Sequence, residues 1–187
     1  MKKLAITTLL IAFTSLVGHV HAQTLADTAR ADTVRAPVVA HPDSVSASES
    51  PEMQEVQDVL TRFGRMWEDE DMETFEEIIA HDPEMVVIGT DTSEYIVGYE
   101  PFKKARKQQF ESFENIEFNV QERAVQLAET GTVAWFTEVY DVFLMAQDQP
   151  VSLDDIRVSG VMEKRDGAWV IVHLHTSVPV RGQAAEY

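Results

Sequence analysis

His173 and His175 stand two residues apart in a β-branched-rich run, WVIVHLHTS from Trp169 to Ser177. In a strand this spacing puts both imidazoles on one face. Such a pair can hold or move a proton at neutral pH, or chelate a divalent ion when a carboxylate joins it. Glu138 is the nearest third ligand by topology, but the chain carries no recognisable metal motif, so no metal and no cofactor are expected. Arg157 is the more pointed residue. It falls in a central strand run, where an unpaired charge is costly, so it calls for a carboxylate or an anionic ligand. His173, Glu138 and Arg157 are therefore the candidates for proton transfer and charge stabilisation, with Arg157 beside Glu138 as a purely structural pair the alternative.

These side chains must be positioned by the hairpin Ile156 to Pro179, whose turn reads Arg165-Asp166-Gly167-Ala168. Asp-Gly between alternating apolar residues is a strong hairpin signal. Simple alternation places Trp169, Ile171, His173, His175 and Ser177 on one face and Val170, Val172, Leu174 and Thr176 on the other. The opposite strand depends on the loop. A two-residue Asp166-Gly167 loop pairs Gly160 with His173 and Val158 with His175. A three-residue loop with a bulge at Gly167 pairs Ser159 with His173 and Arg157 with His175. The bulged register is favoured, because it collects Arg157, Ser159, His173 and His175 on one face and leaves the other apolar.

The chain has 15 basic against 32 acidic residues and a net charge of −17. Nucleic acids and anionic membranes demand a basic footprint, so neither is an expected partner. The opening MKKLAITTLLIAFTSLVGHVHA has a basic start at Lys2 and Lys3, an apolar stretch from Leu4 to Gly18 and small residues at Val20-His21-Ala22, the layout of a secretory leader. Its removal would take the charge two units lower and leave no membrane segment, so a periplasmic or secreted protein is expected. There is no Cys, which excludes disulfides, thiolate metal sites and a lipid-anchored amino terminus.

Residues 23–50 are rich in Ala, Thr, Ser, Asp and Pro without hydrophobic period, which predicts a disordered linker. Ser50-Pro51-Glu52 then reads as a helix start, and Val56, Leu60, Phe63 and Trp67 recur on one helical face. A second short helix carries Met72, Phe75, Ile78 and Ile79. The acids from Glu68 to Glu77 lack the alternation and central Gly of a calcium loop, and read as solvated helix caps. Met85–Ile88 and Glu94–Val97 are short strands around a turn. A third helix runs from about Glu100 to Phe113, with Phe102, Phe110 and Phe113 inward and Lys103, Lys104, Arg106 and Lys107 on its outer face. Strands at Asn115–Leu127 and Thr132–Met145 follow, then a loop from Ala146 to Leu153 and the closing hairpin. The order predicts an α+β fold: one bent, mostly antiparallel sheet over residues 51–181 with three early helices on one side, and a short tail at 182–187.

Four stretches carry a family resemblance: Phe63–Trp67, IGTDTSEYIVGYEPF from Ile88, VAWFTE from Val133, and RVSGVMEKRDGAWVIVHLHTSVP from Arg157. Together they resemble the NTF2-like superfamily and, within it, the SnoaL-like domains. The closing hairpin is also similar to the association domain of calcium/calmodulin-dependent protein kinase. The resemblance implies a cone with a pocket between the concave sheet and the helices, and a homodimer formed through the sheet. Within such a cone Trp67, Tyr95, Trp135 and Tyr140 would be apolar walls, and Arg157, His173, His175 and Glu138 polar anchors for a small, partly apolar organic ligand. Isomerase, dehydratase or cyclase chemistry by proton transfer is one outcome. A non-catalytic oligomerisation or accessory module is the other.

Overall fold

The computed structural model describes residues 50–180. The expected leader and tail lie outside them, as does the expected linker up to residue 49. Helix α1 (Pro51–Glu68) starts where the cap residues require: the Ser50 hydroxyl accepts the Met53 N–H at 3.1 Å, with proline in the first turn. Its apolar stripe buries Val56, Leu60, Phe63 and Met66. Asp71 caps α2 (Met72–Ile78) by accepting the Glu73 and Thr74 N–H groups. The short strands β1 (Val86–Ile88) and β2 (Tyr95–Val97) precede α3 (Tyr99–Phe110). Four long strands follow: β3 (Phe113–Leu127), β4 (Val133–Ala146), β5 (Gln149–Arg165) and β6 (Ala168–Ser177). Among the described residues no helix is long and apolar enough to cross a membrane.

The sheet order is β2-β1-β6-β5-β4-β3, with β1 parallel to β6 and all other pairs antiparallel. One face is sealed by the helices. Phe136, Met162 and Ile171 from the sheet and Leu60, Phe75 and Ile78 from the helices form its dry centre. Three helices on a bent, mostly antiparallel sheet is the α+β architecture that the residue order predicts. The bend has local causes, since register shifts interrupt the β3–β4, β4–β5 and β5–β6 ladders, and such bulges coil a strand.

Two expectations fail at turns. The predicted loop Ala146–Leu153 is a tight hairpin: Gln147 and Asp148 both take positive φ, 51° and 59°, and β5 begins at Gln149. Neither residue is Gly or Asn, so the usual signal for this turn was missing. At the closing hairpin Asp166 (φ 51°) and Gly167 (φ 86°) are both left-handed, and Arg165 pairs with Ala168. The loop therefore has two residues, not the favoured three. The bulge lies deeper, at Val172, between the pairs Met162–Ile171 and Val161–His173.

That bulge also corrects the expected faces of β6. Trp169 and Ile171 face the helices with Leu174 and Thr176, whereas His173, His175 and Ser177 face outward. Ser159 consequently opposes His175, and Arg157 opposes Ser177. The polar grouping of Arg157, Ser159, His173 and His175 exists, produced by a different bulge and with different partners. The bulge falls where β6 changes its partner on the side away from β5. Ile79 bridges Ile171, with the Ala80 N–H donating to the Ile171 carbonyl at 2.9 Å, and β1 takes over at the pair Val86–His173.

Candidate functional site

On α3 the inward stripe is Tyr99, Phe102, Arg106 and Phe110, at spacings of three, four and four. Arg106 was expected on the outer face with Lys103, Lys104 and Lys107. It is instead only 5% exposed. Position overrides charge here: a residue four from Phe102 and four from Phe110 shares their side of a helix. The spacing was visible in the sequence, and the neighbouring lysines masked it.

The Arg106 guanidinium carbon lies 3.4 Å from the centroid of the Trp67 ring, and 5.3 and 5.8 Å from those of Phe102 and Phe110. This is cation–π packing in a desolvated place, where it is strongest. Arg106 Nη1 donates to Gln109 Oε1 at 3.0 Å, and Gln109 Nε2 reaches Glu94 Oε1 at 3.5 Å. Among the described residues no carboxylate contacts the guanidinium directly, and its Nε is buried without an acceptor. Trp67 Nε1 and Tyr99 Oη are likewise buried and unpartnered. Burial pushes the Arg106 guanidinium down to about 9, opposed by Tyr140 and Glu94, so it keeps its charge at neutral pH.

Aromatic walls surround the cation. Trp67 stacks on Phe118 with centroids 5.8 Å apart, and Phe118 meets Tyr140 at 4.8 Å. Burial raises the Tyr140 hydroxyl above its ordinary range, which leaves a neutral phenol. Glu138 also faces the helices and is 4% exposed. Arg123, its cross-strand neighbour, donates from Nε to Glu138 Oε1 at 2.5 Å and reaches the Thr61 hydroxyl at 3.4 Å. Burial still lifts the Glu138 carboxyl above the usual glutamate value, with Arg123 pulling the other way.

The residues expected to line one pocket are divided by the sheet. Trp67, Tyr140 and Glu138 lie on the helix side. Arg157 and His175 are exposed on the opposite face, so neither shares a site with Glu138 and the pair Arg157–Glu138 does not form. Trp135 is 44% exposed on that outer face, with Nε1 donating to Gln126 Oε1, and Tyr95 is 64% exposed on the edge strand β2. His173 is half-buried and donates from Nδ1 to the Val86 carbonyl at 2.9 Å, beside a groove of about 430 Å³ that includes Asp82, Glu84, Glu163 and Arg165. Among the described residues no three His, Asp or Glu side chains converge on one point.

What the helix side can do follows from its composition. It offers a cation that is charged at neutral pH, an indole N–H and a phenol, set among aromatic rings. An oxygen bearing negative charge would meet a buried donor that has no other acceptor, in a medium that strengthens the contact.

A family model described as "SnoaL-like domain" matches residues 56–181. Among solved structures, an NTF2-like superfamily protein from Salmonella enterica superposes with a TM-score of 0.63 at 18% identity, covering 72% of this chain and 95% of that one. A structure from Xanthomonas campestris, provisionally assigned to the calcium/calmodulin dependent protein kinase II association domain, gives 0.60 at 20% identity over 71% and 91%. One from Streptomyces avermitilis, provisionally a dehydratase of the NTF2-like family, gives 0.60 at 15% over 68% and 95%. No curated protein matches. At these identities the structural likeness establishes the fold alone.

Proposed function

This chain belongs to the SnoaL-like domain family, and on that premise we propose that its cone binds a small, partly apolar organic molecule through an oxygen that carries or develops negative charge. The observation behind this reading is Arg106: a guanidinium 5% exposed, seated on Trp67, with Nε lacking an acceptor. A buried charge without a paired carboxylate costs several kcal/mol, roughly, and structures keep such groups when something offsets the cost. A carboxylate, phenolate or enolate oxygen would do so, and the rings of Trp67, Phe110, Phe118 and Tyr140 suit an apolar remainder. The same groups suit proton transfer of the isomerase, dehydratase or cyclase kind. Arg106 and the Trp67 N–H would stabilise the oxygen, with Glu138 as the carboxylate on that side of the sheet. The leader-like layout of residues 1–22 supports an exported location for this activity.

The test is thermal unfolding of wild type and Arg106→Met against a panel of small carboxylic acids, 2-keto acids and phenols. Saturating a site at a hundred times its Kd stabilises the native state by about 2.7 kcal/mol. Wild type is expected to gain stability with a subset of the panel. Arg106→Met, which fills the space without the charge, is expected to be at least as stable when empty and to lose the gain. A wild type that no panel member stabilises, or a variant that keeps the gain, overturns the reading.

A further inference from the structure

We infer that Gln109, on the reading of the cone proposed above, sets the charge selectivity of the site. It holds the Arg106 guanidinium through a neutral oxygen, so that the cone takes an ionised carboxylate or phenolate in preference to an uncharged amide. Arg106 Nη1 donates to Gln109 Oε1 at 3.0 Å, three residues along α3. An arginine buried this deeply is stabilised best by an acid, which answers the charge that burial has stripped of water. Glutamate has the shape of glutamine, and at position 109 it would pair with the guanidinium directly. The chain has 32 acidic residues, yet here it offers the uncharged isostere. The amide oxygen fixes the direction of the guanidinium and leaves its charge unanswered.

An amide can turn either end to a neighbour, and its surroundings decide which. Here Glu94 decides. Gln109 Nε2 lies 3.5 Å from Glu94 Oε1, so the amide sets its acceptor toward the cation and its donor toward the anion. The reverse orientation would oppose two donors at one end and two acceptors at the other. Glu94 is itself held by the turn between β1 and β2. The Asp91 N–H donates to Glu94 Oε2 at 3.0 Å and the Thr90 hydroxyl reaches the same oxygen at 3.4 Å, which leaves Oε1 for Gln109. Gly89 gives the Glu94 side chain its place, since an added Cβ would stand 2.7 Å from both the Cβ and the Cδ of Glu94. The acid is thus kept one amide away from the cation. It is near enough to orient Gln109, but among the described residues it forms no ion pair with Arg106. Arg106 Nε remains the donor without an acceptor, and an anionic oxygen answers it best.

The experiment exchanges the two side chains, Glu94→Gln together with Gln109→Glu, in the whole protein. Composition and net charge stay the same, and only the place of the acid relative to Arg106 changes. The first readout needs no ligand. Arg106→Met is expected to leave the wild-type unfolding temperature unchanged or higher. In the exchanged protein it strands the transferred carboxylate, and is expected to lower that temperature by about 5 °C or more. The second readout is titration calorimetry at neutral pH with benzoate, phenylacetate and phenylpyruvate, each against its primary amide. Wild type is expected to prefer the acid over the amide, and the exchange to reduce that preference by about tenfold or more. A merely structural role for Gln109 would weaken acid and amide alike and leave the preference as it was. An exchanged protein that does not fold, that is indifferent to Arg106→Met, or that keeps the wild-type preference overturns the inference alone. A wild type that binds none of the three acids counts against the cone as an anion site, and the inference falls with it.

Discussion

Arg106 and Arg157 lie on opposite sides of one sheet, and among the described residues neither touches a carboxylate directly. On the helix side, Arg106 has exchanged its water for three aromatic rings and one glutamine amide. On the outer side, Arg157 is exposed and keeps its water. An exposed cation costs the fold almost nothing, so its surroundings matter only through what they can recognise. A dehydrated one is a standing cost, and whatever offsets it must reach the interior. The comparison gives the two residues different standing: burial points to a ligand for Arg106, whereas an exposed Arg157 requires none.

If the helix side is the costly side, charge removal there must act through the partner left behind. Arg123→Ala would strand the Glu138 carboxylate, 3% exposed in its side chain, and is expected to cost about 3–5 kcal/mol in urea unfolding. Adding Glu138→Gln should return most of that. The pH dependence has a definite sign. The Glu138 carboxyl titrates above its ordinary 4.5 in the folded state, and loss of Arg123 lifts it further. Between 4.5 and the raised value the native state holds a proton that the unfolded chain has released. The deficit of Arg123→Ala is therefore absent below that window, grows as pH rises through it and is complete above it. A loss under about 1 kcal/mol at neutral pH, the size of an exposed pair, would erase the distinction between the faces.

A smaller effect contrasts adjacent residues of β5. A Cβ on Gly160 would stand 2.6 Å from two ring carbons of Phe136 and 2.7 Å from the His173 carbonyl oxygen. Phe136 is 1% exposed and has nowhere to go, so Gly160→Ala is expected to cost about 1–3 kcal/mol. Ser159→Ala, one residue away and facing outward, should stay within about 0.5 kcal/mol. Equal costs at the two positions would mean that the outer face is packed as tightly as the inner.

Much of this architecture was legible in the residues. Helix caps at Ser50 and Asp71, the four-residue apolar spacing of α1 and the Asp-Gly turn are local signals, and they place the elements within a few residues. The site was less legible, for two reasons. One inserted residue at Val172 reverses which side of β6 is wet, and it lies where the partner of that strand changes from Ile79 to Val86, a tertiary fact with no local signature. The second reason is habit of composition. Arg106 sits among lysines, so charge suggested solvent while its spacing from Phe102 and Phe110 put it inside. Glu138 is expected from the resemblance to be a polar anchor, but its observed partner Arg123 comes from β3, which alternation within one strand cannot supply.

The most direct test of the account is to locate a bound molecule. A crystal of the protein with a brominated analogue of the strongest panel ligand would report the bromine position by anomalous scattering. The account predicts a peak on the helix side of the sheet, near Trp67 and Phe118, with the ligand oxygen within hydrogen-bond reach of Arg106 Nε. A cone empty of ligand, with the peak on the outer face beside Arg157 and His175, would contradict it.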